Sequence, residues 1–338
     1  MTLPSELPSR SRRLLEIAPR LDTVAPRVTL ADLPTPVTEH AAFASRFGLA
    51  ALHVKRDNLT STVYGGTKVR ALEFLLGRAL HDRAGGVATI GANGSHHVLA
   101  TAIFAERLGL RMRAVLVPQP AWEGREGRLA WLQRHGVEAI EARTWPAVPP
   151  SYIRGRWGSL GGKRPAWIPA GGTSAVGALG AVEGMLEVAD AIKAGTFEQP
   201  DCIVVAAGSC GTAAGILAGC ALAGITSEVI AIRVVPRVMA RRGRVFRVAR
   251  AALALLATGG ATTAALRFAP LQMVHREIGG RSAVPTEAGR VAVACVRDAT
   301  GLIGDTTYTG KAWAHILGGH LRGRRVLFWN TLSATAPG

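Results

Sequence analysis

Apolar residues in the first part of the chain switch between short continuous runs and a helical repeat. The run AALHVKRD predicts a strand, whereas TKVRALEFLLGRAL spaces its apolar residues three or four positions apart. A turn at Gly65 and Gly66 precedes this repeat, so Lys68 is predicted to stand at a helix N-terminus. The residues that recur on the apolar face are Val69, Leu72, Leu75, Leu76 and Leu80.

The two patterns continue to alternate along the chain. VATIGA and RMRAVLVP predict strands, while SHHVLATAIFAERLG and EGREGRLAWLQRHG predict helices. IPAGGTSAVGALGAVEGMLEVADAI predicts a Gly-rich turn and a long helix, and DCIVVAAGSCGTAAGILAGCALAG a buried strand, a loop and a helix. A strand in SEVIAIRVVP, a basic helical region from Arg237 to Leu256 and a last strand in RVLFWNTLSA follow. Such alternation is typical of an α/β fold with parallel sheets covered by helices.

Two segments depart from this alternation. RVTLADLPTPVTEH predicts an extended arm, because each proline biases the residue before it away from helix. The stretch from Thr144 to Pro169 is rich in Pro, Trp, Arg and Gly and predicts a long connection between two lobes. Two lobes also suit a chain of 338 residues, which is longer than a single simple core supports.

Composition and charge narrow the class of protein. Hydrophobic residues make up 48% of the chain and there are 40 glycines, which favours a globular protein over a disordered or fibrous one. The net charge of +17 comes mostly from scattered arginines with few aromatics beside them. We interpret that excess as surface charge, and we expect no nucleic-acid partner.

The termini and cysteines predict the compartment. The start MTLPSELPSRSRRLLEIAPRL is basic but lacks the apolar core and cleavage site of a secretory signal. The apolar stretch from Ala251 is interrupted by two glycines and is too short to span a bilayer. No metal-ligand spacing links the cysteines, so reduced thiols, no metal site and a cytoplasmic protein without membrane contact are predicted. These cysteines are Cys202, Cys210, Cys220 and Cys295.

Two local motifs suggest chemistry. In AAGSCGTAAG a buried strand ends in small residues and a helix starts at once, so backbone N–H groups and the hydroxyls of Ser209 and Thr212 could hold a phosphate. An ordinary strand-to-helix turn explains the pattern equally well. In VYGGTKVRALEFL, Lys68 could form a Schiff base, because burial at a helix N-terminus disfavours the ammonium form. Taken alone, this motif fits a solvated first-turn lysine better.

A resemblance favours the chemical interpretation of both motifs. LPTPVTEH, VKRDNLTSTVYGGTKVRALEFL, GSHHVLATAIFAERLGL, IPAGGTSAVGALGAVE, AAGSCGTAAG and GLIGDTTYTGKAWAHIL occur in the order seen in the 1-aminocyclopropane-1-carboxylate deaminase and D-cysteine desulfhydrase family. The resemblance spans about residues 27 to 333. It implies a two-domain α/β fold of the tryptophan-synthase-β type (fold type II), with pyridoxal 5'-phosphate in the cleft between the domains. The larger domain would comprise residues 1–70 and 179–338, and the smaller one residues 71–178.

The same resemblance implies roles for individual residues. Lys68 would hold the cofactor as a Schiff base, and Ser95, in a segment similar to the family's QSNH, would act as an acid or base at the substrate. His96 would touch the cofactor and, with His97, the substrate, and Tyr308 would pack on the cofactor ring and transfer a proton. Thr309 would face the ring nitrogen, where the deaminases have Glu. The remaining cofactor contacts would be Gly208, Ser209, Cys210, Gly211, Thr212 and Thr331.

Several positions differ from the family pattern, and they cluster around the cofactor. A second lysine usually follows the Schiff-base lysine by three positions, and Ala71 stands there. The usual HTGG near the C-terminus is NTLS, from Asn330 to Ser333. Thr67, His96 and Cys210 replace Asn, Asn and Gly.

The leading functional hypothesis is α,β-elimination on a small amino acid, giving a 2-oxoacid and ammonia. Thr309 favours this reaction over ring-opening of 1-aminocyclopropane-1-carboxylate, which is the alternative enzyme hypothesis. The clustered differences motivate a third one, a cofactor-binding homologue with altered or lost activity. A homodimer is expected from the family.

Overall fold

The larger of the two β-sheets has six strands. Its strand order is β1-β2-β10-β7-β8-β9, and every neighbouring pair is parallel except β1 with β2. The central strands are buried along most of their length, as expected for a parallel sheet covered on both faces. The strands are β1 (Val37–Glu39), β2 (Ala51–Lys55), β7 (Cys202–Ala207), β8 (Glu228–Arg233), β9 (Leu271–Val274) and β10 (Arg325–Trp329).

A second, four-stranded sheet is entirely parallel and has the order β5-β4-β3-β6. The two sheets, parallel except for the edge pair β1–β2, confirm the predicted fold class. All strands of the small sheet come from residues 71–178, but both boundaries of that range fall inside helices, so the domain limits stay a prediction. The strands are β3 (Val87–Ala92), β4 (Met112–Val117), β5 (Val137–Glu141) and β6 (Ala166–Ile168).

Twelve α-helices cover the sheets in the part of the chain that this computed structural model describes, residues 13–92, 94–118, 125–279 and 284–335. The basic start of the chain, residues 1–12, lies outside it. Each described helix is too short or too polar to cross a lipid bilayer. The helices are α1 (Arg13–Ile17), α2 (Leu21–Val24), α3 (Ala41–Arg46), α4 (Thr67–His81), α5 (His96–Arg107), α6 (Arg125–Arg134), α7 (Val148–Trp157), α8 (Ala175–Lys193), α9 (Gly211–Ala223), α10 (Arg242–Thr258), α11 (Glu287–Thr300) and α12 (Thr309–His315).

The prediction that Thr144 to Pro169 form a long connection between two lobes rather than core was wrong, because this stretch contains α7 and the sheet strand β6. Prolines occupy the first turn of α7, where a helix needs no backbone N–H donors, so the Pro-rich signal marked a helix start. The helix lies against β4, since a Cβ on Gly155 would come within 2.2 Å of Val115 Cγ2.

Small residues let α8 approach both α4 and α9 closely. A Cβ on Gly180 would lie 2.5 Å from the backbone of Arg70 in α4, and a Cβ on Gly215 of α9 would lie 2.5 Å from Ala178 O. The helix α9 is apolar around its whole circumference because α8 and α10 cover it. This packing positions α4 and α9 relative to α8, and both α4 and α9 begin at the candidate site.

Candidate active site

In both sheets the strand order reverses at one point, and the predicted site segments follow the strands that flank it. From β7 the large sheet continues through β8 to β9 on one side, while β10 returns on the other. In the small sheet, β3 lies in the same way between β4 and β6. Ligands of α/β sheets bind outside the carboxyl ends of the strands at such a point. The segments that follow these strands are residues 208–212, 330–333, 94–97 and 169–173.

Lys68 is the second residue of α4, which begins directly after Gly66, a glycine with a positive φ of 93°. The Lys68 Nζ donates a hydrogen bond of 3.0 Å to Gly171 O. Burial lowers the pKa of this amine to about 8, because the charged form loses its hydration. Among the chain's five lysines, Lys55 and Lys311 are held in other buried contacts, and Lys163 and Lys193 are exposed.

Gly171 connects Lys68 to the predicted phosphate loop. Its φ is 65°, and a Cβ there would lie 2.2 Å from Ser209 Oγ and 3.4 Å from Lys68 Nζ. Thr173 Oγ1 donates a hydrogen bond of 2.7 Å to Ser209 Oγ. Sequence analysis assigned no role to Gly171 or Thr173, although the glycine pair after a short strand could have indicated both. The structure thus brings the lysine and the loop together through a segment of the other sheet.

The predicted phosphate loop ends at the start of α9. Cys210 is buried and has a left-handed φ of 75°, although it is not glycine. The first N–H groups of a helix have no partner within the helix, and its positive end favours an anion. Ser209 supplies a hydroxyl beside them. A Cβ on Gly208 would lie 3.4 Å from Tyr308 Cε1, so Tyr308 lies at this loop.

Ser95 and His96 begin α5 at the carboxyl end of β3. Ser95 is the N-cap, and its Oγ accepts a hydrogen bond from Val98 N over 3.5 Å. A Cβ on Gly91 would come within 3.1 Å of Ser95 Oγ, so this glycine leaves room for the hydroxyl. His96 Nδ1 lies 2.5 Å from the hydroxyl of Tyr64, which fixes the orientation of its ring.

His97 is buried and its tautomer follows from its neighbours. The hydroxyl of Thr89 donates to Ile168 O, so the 3.0 Å contact between Thr89 Oγ1 and His97 Nε2 requires that Nε2 carry the proton. Nδ1 is then an acceptor, and it has no hydrogen-bond partner among the described residues. Burial, aided by the charge of Lys68, lowers the pKa of His97 to about 3. The ring is neutral and can accept a hydrogen bond from an amine or a hydroxyl.

Tyr308 and Thr309 lie at the N-terminus of α12, where the carboxylate of Asp305 accepts hydrogen bonds from their backbone N–H groups. Burial and the nearby Asp305 raise the pKa of Tyr308, so its phenol stays protonated. The hydroxyl of Thr309 donates to Asp305 Oδ2 at 2.9 Å and accepts from Asp305 N at 2.8 Å. The predicted contact between Thr309 and a ring nitrogen would therefore need its hydroxyl to turn away from Asp305.

The segment after β10 lies against the start of α4. Thr331 O accepts a hydrogen bond of 3.3 Å from Thr67 N, and Gly65 N donates one of 2.9 Å to Ser333 Oγ. Asn330 is buried, and its side-chain amide has no partner among the described residues. The backbone of Thr331 therefore positions the turn that carries Lys68.

A buried ion network supports α4 directly behind Lys68, and sequence analysis missed it. Arg70 is fully buried and binds Asp57 and Glu187 through hydrogen bonds of 2.8–3.0 Å. Lys55 also binds Glu187, and the indole N–H of Trp329 donates to Asp57. Burial alone would raise the pKa of Glu187, but Arg70 and Lys55 outweigh it and lower this pKa to about 2.

These residues fit pyridoxal phosphate. The amine of Lys68 has a lowered pKa, as a lysine that reacts with an aldehyde requires. The start of α9 offers uncharged N–H and hydroxyl donors suited to a phosphate group.

Comparisons with known proteins agree with this fit. The profile of a family described as pyridoxal-phosphate dependent enzymes matches residues 28–331. D-cysteine desulfhydrases of Klebsiella pneumoniae (strain 342) and Salmonella choleraesuis (strain SC-B67) are each 34% identical over 304 residues, which cover 87% of this chain and 88% of theirs.

Solved structures show the same fold. A crystal structure described as an ACC deaminase homologue superposes with a TM-score of 0.78 at 28% identity, over 93% of this chain and 94% of the other. A pyridoxal 5'-phosphate-dependent aspartate racemase, 15% identical, shares the fold with a TM-score of 0.62 over 98% of each chain. Since the profile covers most of the chain, the protein belongs to the family of pyridoxal-phosphate dependent enzymes.

Proposed function

We propose that the protein catalyses α,β-elimination on a small amino acid, in the manner of the D-cysteine desulfhydrases that it resembles. For D-cysteine and water, the products would be pyruvate, hydrogen sulfide and ammonia. The observation that carries the proposal is the position of the Lys68 amine, which donates a hydrogen bond to Gly171 O next to Ser209. Burial there lowers the pKa of the amine to about 8. Pyridoxal phosphate, when bound, withdraws electron density from the substrate Cα.

The residues of the chain would divide the remaining work. Lys68 is the base that removes the Cα proton, because its amine is partly neutral near neutral pH. Tyr308 keeps its proton, since burial raises its pKa, and can donate it to the leaving group. Ser95, which caps α5, would assist a proton transfer on the side of the small sheet. His96 and His97 would contact the cofactor or substrate there, with His97 Nδ1 accepting from a hydroxyl or an amine.

Ring-opening of 1-aminocyclopropane-1-carboxylate is the second candidate, and the similarity to the ACC deaminase homologue favours it. Thr309 supports elimination instead. A carboxylate at this position would hold a pyridine nitrogen firmly protonated, whereas a neutral hydroxyl engaged by Asp305 would not.

The two candidates separate by product. Purified, cofactor-loaded protein is offered D- and L-cysteine, D- and L-serine, β-chloroalanine and 1-aminocyclopropane-1-carboxylate, and 2-oxoacids are measured. We expect pyruvate from a cysteine or a β-substituted alanine. Release of 2-oxobutanoate from the cyclic substrate alone would instead establish the deaminase. If neither product forms while the cofactor is bound, the protein is an altered homologue in which the replacements at Ala71, Cys210 and Asn330 have changed the chemistry.

We also propose a cytoplasmic homodimer. The four free thiols, three of them buried, suit a reducing compartment. The family resemblance supports two subunits, which light scattering of the cofactor-loaded protein would test.

A further inference from the structure

Glu277, His315 and His320 form a cluster at the far end of α12 from Tyr308. One ligand atom of each residue lies within 4.8 Å of the others. His315 is buried, and its Nδ1 lies 3.2 Å from Glu277 Oε1. Two imidazoles and one carboxylate are a ligand set that first-row metals such as zinc bind. The seven residues of α12 separate this cluster from the candidate active site by about 10 Å.

The backbone after α12 brings the two histidines together. Five residues along a regular α-helix rotate a side chain by about 500°, which would leave His315 and His320 on different faces. Instead the chain forms a wider π-helical turn, Ile316–His320, that contains the left-handed Gly319. The two rings consequently stack with their centroids 5.0 Å apart.

We propose that Glu277, His315 and His320 bind one divalent zinc-like ion, with the remaining coordination position open to water. Ligand atoms of a tetrahedral zinc site lie roughly 3.3 Å apart, given bonds of about 2.0–2.1 Å. The Glu277–His315 pair already has this separation. His320 is exposed, so its ring can move the additional distance.

The ion would tie the segment Arg276–Ile278 to α12. Lys311 Nζ already joins the two through a hydrogen bond of 2.8 Å to Ile278 O. The guanidinium of Arg276 lies 3.2 Å from His320 Nε2 and competes with a cation for that position. Its side chain is 55% exposed and can swing into solvent.

Zinc titration of untagged holoenzyme, freed of excess cofactor and followed by calorimetry, tests the site. We expect one zinc per chain. His320→Ala and Glu277→Gln should each weaken zinc binding by at least about tenfold to 100-fold. Even changes to residues that only hydrogen-bond to the metal ligands have about that effect. Arg276→Gln should strengthen binding by about tenfold, because it removes a positive charge a few ångströms from a divalent ion.

His81 provides the matched control. It is exposed and pairs with Asp82 at 3.1 Å, nearly the separation of His315 and Glu277. His81→Ala should leave zinc binding unchanged. The proposal is overturned if wild-type protein takes up no stoichiometric zinc, or if His320→Ala binds it as tightly as wild type.

Discussion

The starts of α4 and α9 each follow a residue with a positive φ, but they carry different chemical groups. Gly66 precedes α4 with a φ of 93°, and Cys210 precedes α9 with a φ of 75°. The two starts meet at Gly171, where α4 presents the amine of Lys68 and α9 presents uncharged donors beside Ser209. The positive end of a helix disfavours a cation and favours an anion. The same electrostatic arrangement would therefore suit a neutral amine at one helix and the proposed phosphate position at the other.

Replacing Lys68 should produce the largest effect. Lys68→Ala removes the amine that would attach the cofactor, so borohydride treatment of the loaded variant should leave no cofactor covalently bound. Lys163→Ala, at an exposed lysine, is the control and should trap cofactor as wild type does. Absorption and mass spectrometry measure the adduct. Trapping in Lys68→Ala would assign the cofactor to another lysine.

Disrupting the buried ion network behind α4 should destabilise the protein, although it changes no residue of α9. Arg70→Met leaves Asp57 and Glu187 buried without their main partner, so the free energy of unfolding should fall by about 3–5 kcal/mol. Arg78→Ala removes an exposed pair with Asp82 on the same helix and should lower it by less than about 1 kcal/mol. Urea unfolding compares the two. Equal losses would mean that the network contributes little.

Removing a hydroxyl from the α9 side should weaken the cofactor without unfolding the protein. Ser209→Ala deletes a hydroxyl beside the predicted phosphate position, and cofactor affinity should fall by about tenfold to 100-fold, typical of a hydrogen bond to a charged group. Ser174 caps α8 through Gly177 N, so Ser174→Ala should lower stability but leave affinity unchanged. Fluorescence titration with pyridoxal phosphate measures affinity. An unchanged affinity in Ser209→Ala would move the phosphate away from this loop.

The pH dependence of cofactor capture tests whether the amine of Lys68, at the start of α4, has a lowered pKa. Only the neutral amine of Lys68 attacks an aldehyde, and burial lowers its pKa to about 8. The rate of capture by apoprotein should rise about tenfold per pH unit below 8 and level off above it. Stopped-flow absorption follows the reaction. A midpoint near 10.5, the ordinary lysine value, would contradict the effect of burial.

The smallest expected effect concerns the start of α9. Cys210→Gly relieves a left-handed conformation but loses a buried side chain, so the two contributions should nearly cancel, within about 1 kcal/mol. Cys220→Gly, inside α9 near its C-terminal end, gains no such relief and should be clearly destabilising. Thermal unfolding distinguishes them. A large loss of thermal stability in Cys210→Gly would show that the buried Cys210 side chain stabilises the protein by more than its left-handed backbone costs.

Much of the fold could be predicted because its signals are local. The helical repeat after Lys68 and the small residues after the buried strand marked the starts of α4 and α9. The chemistry of these starts was implied only by the family resemblance. The exception was α7, whose prolines resembled a loop although they occupy a helix start.

Periodicity in the sequence was enough to predict the α/β class. The ordered motifs carried the resemblance that implied the family, the cofactor and the lysine proposed to bind it. Which residues meet at the site follows from the tertiary structure, because they are distant in the sequence. Gly171 and Thr173 reach Ser209 from another sheet, and Arg70 finds Asp57 and Glu187 across large sequence separations. It also lowered the pKa of Lys68, because desolvation arises only when distant segments close around the amine.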